Sequence, residues 1–440
     1  MAVTHRSLSV AVETLFGSPA PTTGIPSTSG LTYVSIPCER DPILIPGEPV
    51  VSERNDTKDG NYFNAPEPDT VWSGGNRLRR RTGQVVCRVD LTTIGTSANN
   101  YTSNYLGYLL GAGFKTQVPS SGLRSDTASA VSDVNTYSPT GSILESDVGL
   151  IVGTELNGRA EYSAITDNDV VGEVTVSPAF SSAFTGTPTI RGLQTWYIPS
   201  RSATGTFEHS LSFKIDGVNF QSLAFGCVLE SMSITVDNGR LMADLTYQCA
   251  YITDNHPLVA STPIEPVYNS GAPALFRGAY AVVSNGSPAS ESNGTVGETQ
   301  GRIALDCEDF TLTVTNTLVP LGWSNDVIGM SDMEVSEVNV ELNLTLSTVN
   351  TTVNDDFFNR TVRQVIVGTA PFGDGKGAAI MLPAAILTND PSVYDVSGND
   401  IVRQNLNYRQ ARYAGDYTDS SYELLAGNSP FRIGLTVGNV

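Results

Sequence analysis

The sequence predicts a mainly β protein built from two tandem units, each with one short α-helix. Three observations point there. Ser, Thr, Asn, Gly and Val crowd the chain while lysine is scarce, a composition that favours strands and turns over long helices. Several runs alternate apolar and polar residues with a period of two, the signature of strands with one dry and one wet face. One order of elements, strand, strand, short helix, strand, strand, strand, occurs twice. At 440 residues and 40% hydrophobic content, the chain has material for two or three cores.

Residues 1–32 read as an N-terminal arm. MAVTHRSLSVAVETLFG has no apolar stretch long enough for a signal peptide, Glu13 interrupts what there is, and GSPAPTTGIPSTSG over 17–30 is extended or looped. The first unit runs over 33–253, and its opening stretch, 41–69, is irregular. In RTGQVVCRVDLTT, Val85, Cys87, Val89 and Leu91 alternate with Gln84, Arg88, Asp90 and Thr92, which makes a strand. In NNYTSNYLGYLLGAGF, residues 99–114, Leu106, Leu109 and Leu110 fall at helical spacing behind Thr102 or Ser103 as N-cap, with Gly111 as the stop. Residues 115–205 lack strong periodicity outside VVGEVTVS and QTWYIP, so they read as an insertion with small strands of its own. In FEHSLSFKIDG, Phe207, His209, Leu211, Phe213 and Ile215 share a face. CVLESMSITV and RLMADLTYQCAY then form a hairpin around Asp237, Asn238 and Gly239, since Asn-Gly between alternating runs is the strongest short hairpin signal. Leu241, Ala243, Leu245, Tyr247, Cys249 and Tyr251 line one side of its second strand.

A Pro/Gly/Ser/Asn-rich linker spans 254–302, the second unit 303–413, and a C-terminal extension 414–440. CEDFTLTVTN is a strand. MEVSEVNVELNLTLS, 333–347, alternates at length: Val338, Val340, Leu342, Leu344 and Leu346 point one way, Glu337, Asn339, Glu341, Asn343 and Thr345 the other. VNDDFFNRT is a short helix with Phe357 and Phe358 toward a core. VRQVIVGTA, GAAIMLPAAILT and IVRQNLNYRQARY are strands, the last two joined by a polar turn.

Charge and chemistry narrow the function. Against 45 Asp+Glu stand 25 Lys+Arg, a net charge of −20, which disfavours binding through phosphate neutralisation because affinity for a polyanion comes from clustered cations. Cys38, Cys87, Cys227, Cys249 and Cys307 are odd in number and widely spaced, and read as reduced thiols in a reducing, soluble compartment. No window approaches the ~18 apolar residues of a membrane span. His5, His209 and His256 are too scattered for a metal cluster, and His209 reads as a core histidine. GDGKG at 373–377 lacks phosphate-loop spacing and reads as a β-turn; Asp167, Asn168 and Asp169 read as a solvated turn before a calcium site. The N-x-[ST] sequons, at Asn285 and Asn293 among others, are what such a composition yields by chance. Arg77, Arg79, Arg80 and Arg81 form the one basic cluster, read as a solvated strand approach, or as a docking site for a carboxylate-rich surface of a neighbouring copy ahead of DNA. No catalytic residue, cofactor or metal site is expected.

Three stretches resemble the tail tube proteins of bacteriophages with long non-contractile tails. They are FGCVLESMSITVDNGRLMADLTYQCAYI, the pair CEDFTLTVTNTLVP and MEVSEVNVELNLTLSTVN, and the leading VETLFGSPAPTTGIP. The likeness covers most of the chain outside 115–205 and the last 25 residues. It implies tail-tube-like β-sandwich or partial-barrel domains whose long hairpins close, in a ring of six, into a β-barrel lining a channel. Two fused units would need three chains per ring, and rings would stack into the tube of a virion assembled in the host cytoplasm. The partners implied are further copies of the chain, a tape measure protein, a tail terminator and a distal tail protein, with double-stranded DNA passing through without specific binding and no membrane. Glu337, Asn339, Glu341, Asn343, Glu230 and Asp244 would then face the lumen. Val338, Val340, Leu342, Leu344, Leu241 and Leu245 would face the core. Another tail or decoration component stands as an alternative, as does a β-rich glycan-binding or glycan-processing module, although Trp72, Trp196 and Trp323 lie in three separate segments.

Overall fold

A computed structural model of the chain describes residues 7–17, 26–39, 42–46, 82–91, 105–120, 122–123, 126–131, 134–141, 143–156, 159–168, 173–182, 188–199, 205–217, 221–254, 277–285, 303–322, 330–370, 377–392, 394–396, 402–411 and 429–435. The protein is mainly β, with strand far exceeding helix, and its principal sheet curls into a half-barrel. The first part of the chain supplies β1 (Ser7–Val12), β2 (Val34–Ile36), β3 (Ile43–Pro46), β4 (Gly83–Asp90), α1 (Tyr105–Gly111) and β5 (Lys115–Gln117). Next come six short strands, β6 (Asp126–Val131), β7 (Thr136–Pro139), β8 (Ile151–Leu156), β9 (Arg159–Asn168), β10 (Val174–Ser177) and β11 (Thr189–Gly192). Then β12 (Gln194–Tyr197), β13 (Leu211–Asp216), β14 (Gln221–Asp237) and β15 (Arg240–Asp254) follow. The second part supplies β16 (Arg277–Asn285), β17 (Ile303–Leu305), β18 (Cys307–Leu321), β19 (Asp332–Leu346), α2 (Asn354–Asn359), β20 (Val362–Ala370), β21 (Ala378–Leu387), β22 (Asp395–Val396), β23 (Val402–Gln410) and β24 (Arg432–Leu435).

The pairings repeat. In the first part β2 pairs with β1, β1 with β13, β13 with β14, β14 with β15, β15 with β4, and β4 with β3, all antiparallel. In the second, β17 pairs with β16, β16 with β20, β20 with β21, β21 with β23, β23 with β19, and β19 with β18, again antiparallel. The α-helix follows the fourth strand of each set. The repeat therefore starts earlier in each half than the alternating runs suggest. Ser7–Val12 is a strand, with Leu8 and Val10 buried, where the sequence reads as an arm, and Arg277–Asn285 is a strand where it reads as a linker.

The two sets meet edge to edge through antiparallel pairing of Ser231–Thr235 on β14 with Thr311–Thr315 on β18. One core runs beneath both. Cys87, Val89, Leu241 and Leu245 join Leu106, Leu109 and Leu110 of α1, and Val340, Leu342, Leu344 and Leu406 continue the same cluster on the second side. Burying each such aliphatic side chain contributes about 1.5–3 kcal/mol, so the alternation is the fold's main driving pattern.

The insertion is narrower than residues 115–205, because β5 and β12 pair with each other inside the main sheet and Phe114 and Trp196 belong to its core. What is inserted is a closed six-stranded barrel, β10-β7-β6-β11-β8-β9, filled by Tyr137, Val152, Ile165, Phe180 and Ile190. It docks on the second set, with Ile151, Tyr162 and Leu193 against Val282, Ile366 and Met381. The Tyr162 hydroxyl donates to Thr369 O at 2.5 Å, and a Cβ at Gly368 would lie 2.1 Å from the Tyr162 ring, so glycine is required there. From the C-terminal extension, β24 pairs between β12 and β21 and ties the insertion's base to the second set.

Three further details differ from the sequence reading. Phe358 is 69% exposed while Phe357 packs on the core, because adjacent helical residues diverge by about 100° and cannot both point inward. Phe207 lies outside β13 and packs in a separate cluster with Phe225, Val228, Tyr251, Met330 and Met333. Register shifts between Leu229 and Ser231 on β14, and opposite Ser336 on β19, change which parity faces the core; Met333 thus joins that second cluster while Val340 onward faces the main one.

Candidate functional site

Six neighbouring strands, in the order β4, β15, β14, β18, β19, β23, share one core face, and the opposite face is a continuous polar wall. Its centre is one register row: Arg88, Asp244, Ser233, Thr313, Glu341 and Arg409 lie successively opposite each other across the six strands. A second row runs Asp90, Met242, Thr235, Thr311, Asn343 and Asn407. Between the charged flanks these two rows are hydroxyl and amide apart from Met242, which is buried.

The sequence-predicted residues divide as follows. Glu337, Glu341 and Asn343 are exposed, and Asn339, Glu230 and Asp244 are half-buried on the same face. Val340, Leu342, Leu344, Leu241 and Leu245 are buried in the core, and Val338 packs partly buried against it. The β14–β18 joint is what brings the carboxylates of the two hairpins onto one surface. The Arg77, Arg79, Arg80 and Arg81 cluster lies outside the described residues, as do Asp169, Trp72, Trp323 and the GDGK of the glycine-rich turn.

Sequence reasoning missed the wall's arginines. Arg88 lies 2.7 Å from Asp237, 3.2 Å from Glu39 and 3.7 Å from Asp244. Arg240 reaches Glu39 at 3.0 Å and Asp90 at 3.3 Å. Arg403 forks onto Glu308 with two bonds of 2.7 Å, holding that carboxyl below its ordinary range, and Arg409 Nε donates to Asn339 Oδ1 at 2.9 Å. Gln84 donates to Glu230 at 2.6 Å. Half-exposed pairs of this kind add little stability. Their effect is electrostatic: these guanidinium groups are already engaged by a carboxylate or an amide of the wall itself. Strand alternation puts Arg88 on the polar side of its strand, but only the strand order shows that Arg88 and Arg409 flank one surface.

The remaining candidates for chemistry are occupied in packing. His209 donates from Nε2 to Tyr108 O, 3.1 Å away, lies against Gly111, and burial lowers its pKa. Cys227 and Cys249 face each other across β14 and β15 as free thiols with sulfurs 2.8 Å apart. Among the described residues no three His, Cys, Asp or Glu side chains are grouped as a metal site would require, and no helix is long and apolar enough to cross a membrane. No protein-family model and no curated protein matches the chain.

Proposed function

We propose that this chain is a structural virion protein that polymerises, three copies to a ring and rings into a stack, to form the tail tube through which a phage genome leaves. The observation that carries the reading is the in-chain joint: two sets of strands with one pairing pattern meet edge to edge and extend one polar wall. A sheet that already joins two repeated units can continue by the same geometry, and closure removes the edges that otherwise invite uncontrolled pairing. With two units per chain, three chains give a pseudo-sixfold ring. The wall's hydroxyls, amides, exposed Glu337 and Glu341, and engaged arginines give a passing polyanion nothing to hold, since sticky contact needs free cations. The protein does no chemistry in this account; a tape measure protein fills the tube before DNA does, and terminator and distal tail proteins close its ends. Negative-stain microscopy of the purified protein tests it. Rings or hollow tubes are expected, whereas a monodisperse monomer at all concentrations contradicts it.

A further inference from the structure

Resting on that reading, we infer that the outer edge of β3 is the seam between chains, taken by the Thr388–Ser392 margin of a second copy. The pairing pattern fixes the correspondence. β18 and β3 hold the same place, each pairing with the strand that precedes the unit's helix, and β14 and β21 hold the same place beside the unit's last strand. Within the chain, the β14 side meets the β18 side. One edge of each kind is therefore left over: β3, and the run beyond β21.

Among the described residues β3 pairs with β4 alone. Its sequence, ILIP, carries no charge; Ile43 and Ile45, opposite Val86 and Gln84, stand on the wall face at 50% and 44% exposure, while Leu44 packs on the core. Edge strands of soluble proteins are normally blunted by lysine, a bulge or a cover, and an edge strand that carries no charged residue is suited to pairing. The other margin continues along β23. Thr388 N donates to Asn407 O at 2.8 Å, Asn389 brackets Asn405 and Asn407, and Asp395 and Val396 pair with Arg403 and Val402. The in-chain seam spans five residues on each strand, and β3 offers four. The partner is a second copy of this chain because only it carries the complementary margin.

The test follows wild type by mass photometry and microscopy and measures amide exchange at residues 43–45 and 388–392 in subunits and in assembled particles. Expected are assembly and at least tenfold slower exchange at both segments in assembled particles than in subunits. If wild type assembles and exchange at either segment is the same in both forms, the seam lies elsewhere while the tube reading stands. If wild type never assembles, the tube reading fails and this inference with it.

Discussion

Glu341 and Val340 are neighbours in sequence with opposite assignments. Glu341 is exposed on the polar wall and Val340 is fully buried under it. Replacing Glu337 and Glu341 by Lys is expected to shift stability by less than about 0.5 kcal/mol each and to leave assembly intact, because neither contributes to the core. It would put unpaired cations on a wall whose own arginines are engaged, and genome ejection should slow, most at low salt where screening is weakest. Val340→Lys buries an ammonium without a partner and is expected to cost more than about 4 kcal/mol. Denaturant midpoints check both; a tolerated Val340→Lys with a ruinous Glu pair would reverse the faces. Glu13 gives a second residue-level expectation. Its carboxyl accepts from Gly17 N at 2.9 Å, Ser210 Oγ at 2.6 Å and Gly226 N at 3.0 Å, yet burial outweighs these bonds and pushes its pKa up to about 7. Its folded pKa lies above the unfolded value of 4.5, so its favourable contribution is complete below pH 4.5 and is lost as pH rises through 7. The loss is on the order of 3 kcal/mol. Urea titrations from pH 4.5 to 8 should show the decline, and Glu13→Gln should flatten it.

At the scale of elements, β1 decides what the N-terminus does. An extended arm could be removed to leave folded subunits that fail to polymerise. Ser7–Val12 instead pairs along its length with β13 and along Leu8–Val10 with β2, so deleting residues 1–12 exposes Leu211, Phe213 and Ile215 on β13 and is expected to yield insoluble or molten protein. Loss of near-ultraviolet dichroism would report it; a well-folded truncated subunit would restore the arm. The long alternating strands β4, β15, β18 and β19 were legible because one face is dry and the other wet over most of their length. β1 was not, because six residues ahead of a Pro/Gly stretch carry too few periods to stand out, and β16 lies in similar surroundings. The shift on β14 was hidden for a physical reason: both faces are buried in the first half of that strand, so parity no longer separates apolar from polar. Within the candidate site, the carboxylates and core residues were readable strand by strand. The arginine flanks were not, since a strand's pattern says which side chains share a face and is silent on which strands are neighbours.

The orientation of the whole molecule in a ring follows from where the inserted barrel and the polar wall lie. The inserted barrel packs on β16, β20 and β21 of the second set through Tyr162, Ile151 and Leu193, while the polar wall lies across β4, β15, β14, β18, β19 and β23. A ring built on the in-chain seam turns the wall toward the axis and leaves the barrel to decorate the outside. The measurement that tests this most directly is a cryo-electron microscopy reconstruction of the assembled particle. The account predicts a hollow tube with three chains per ring, Asp244, Thr313 and Glu341 facing the channel, and six-stranded barrels projecting from the outer surface. A tube whose channel is lined by the barrels, or an assembly in which the Glu341 face is buried between subunits, would contradict it.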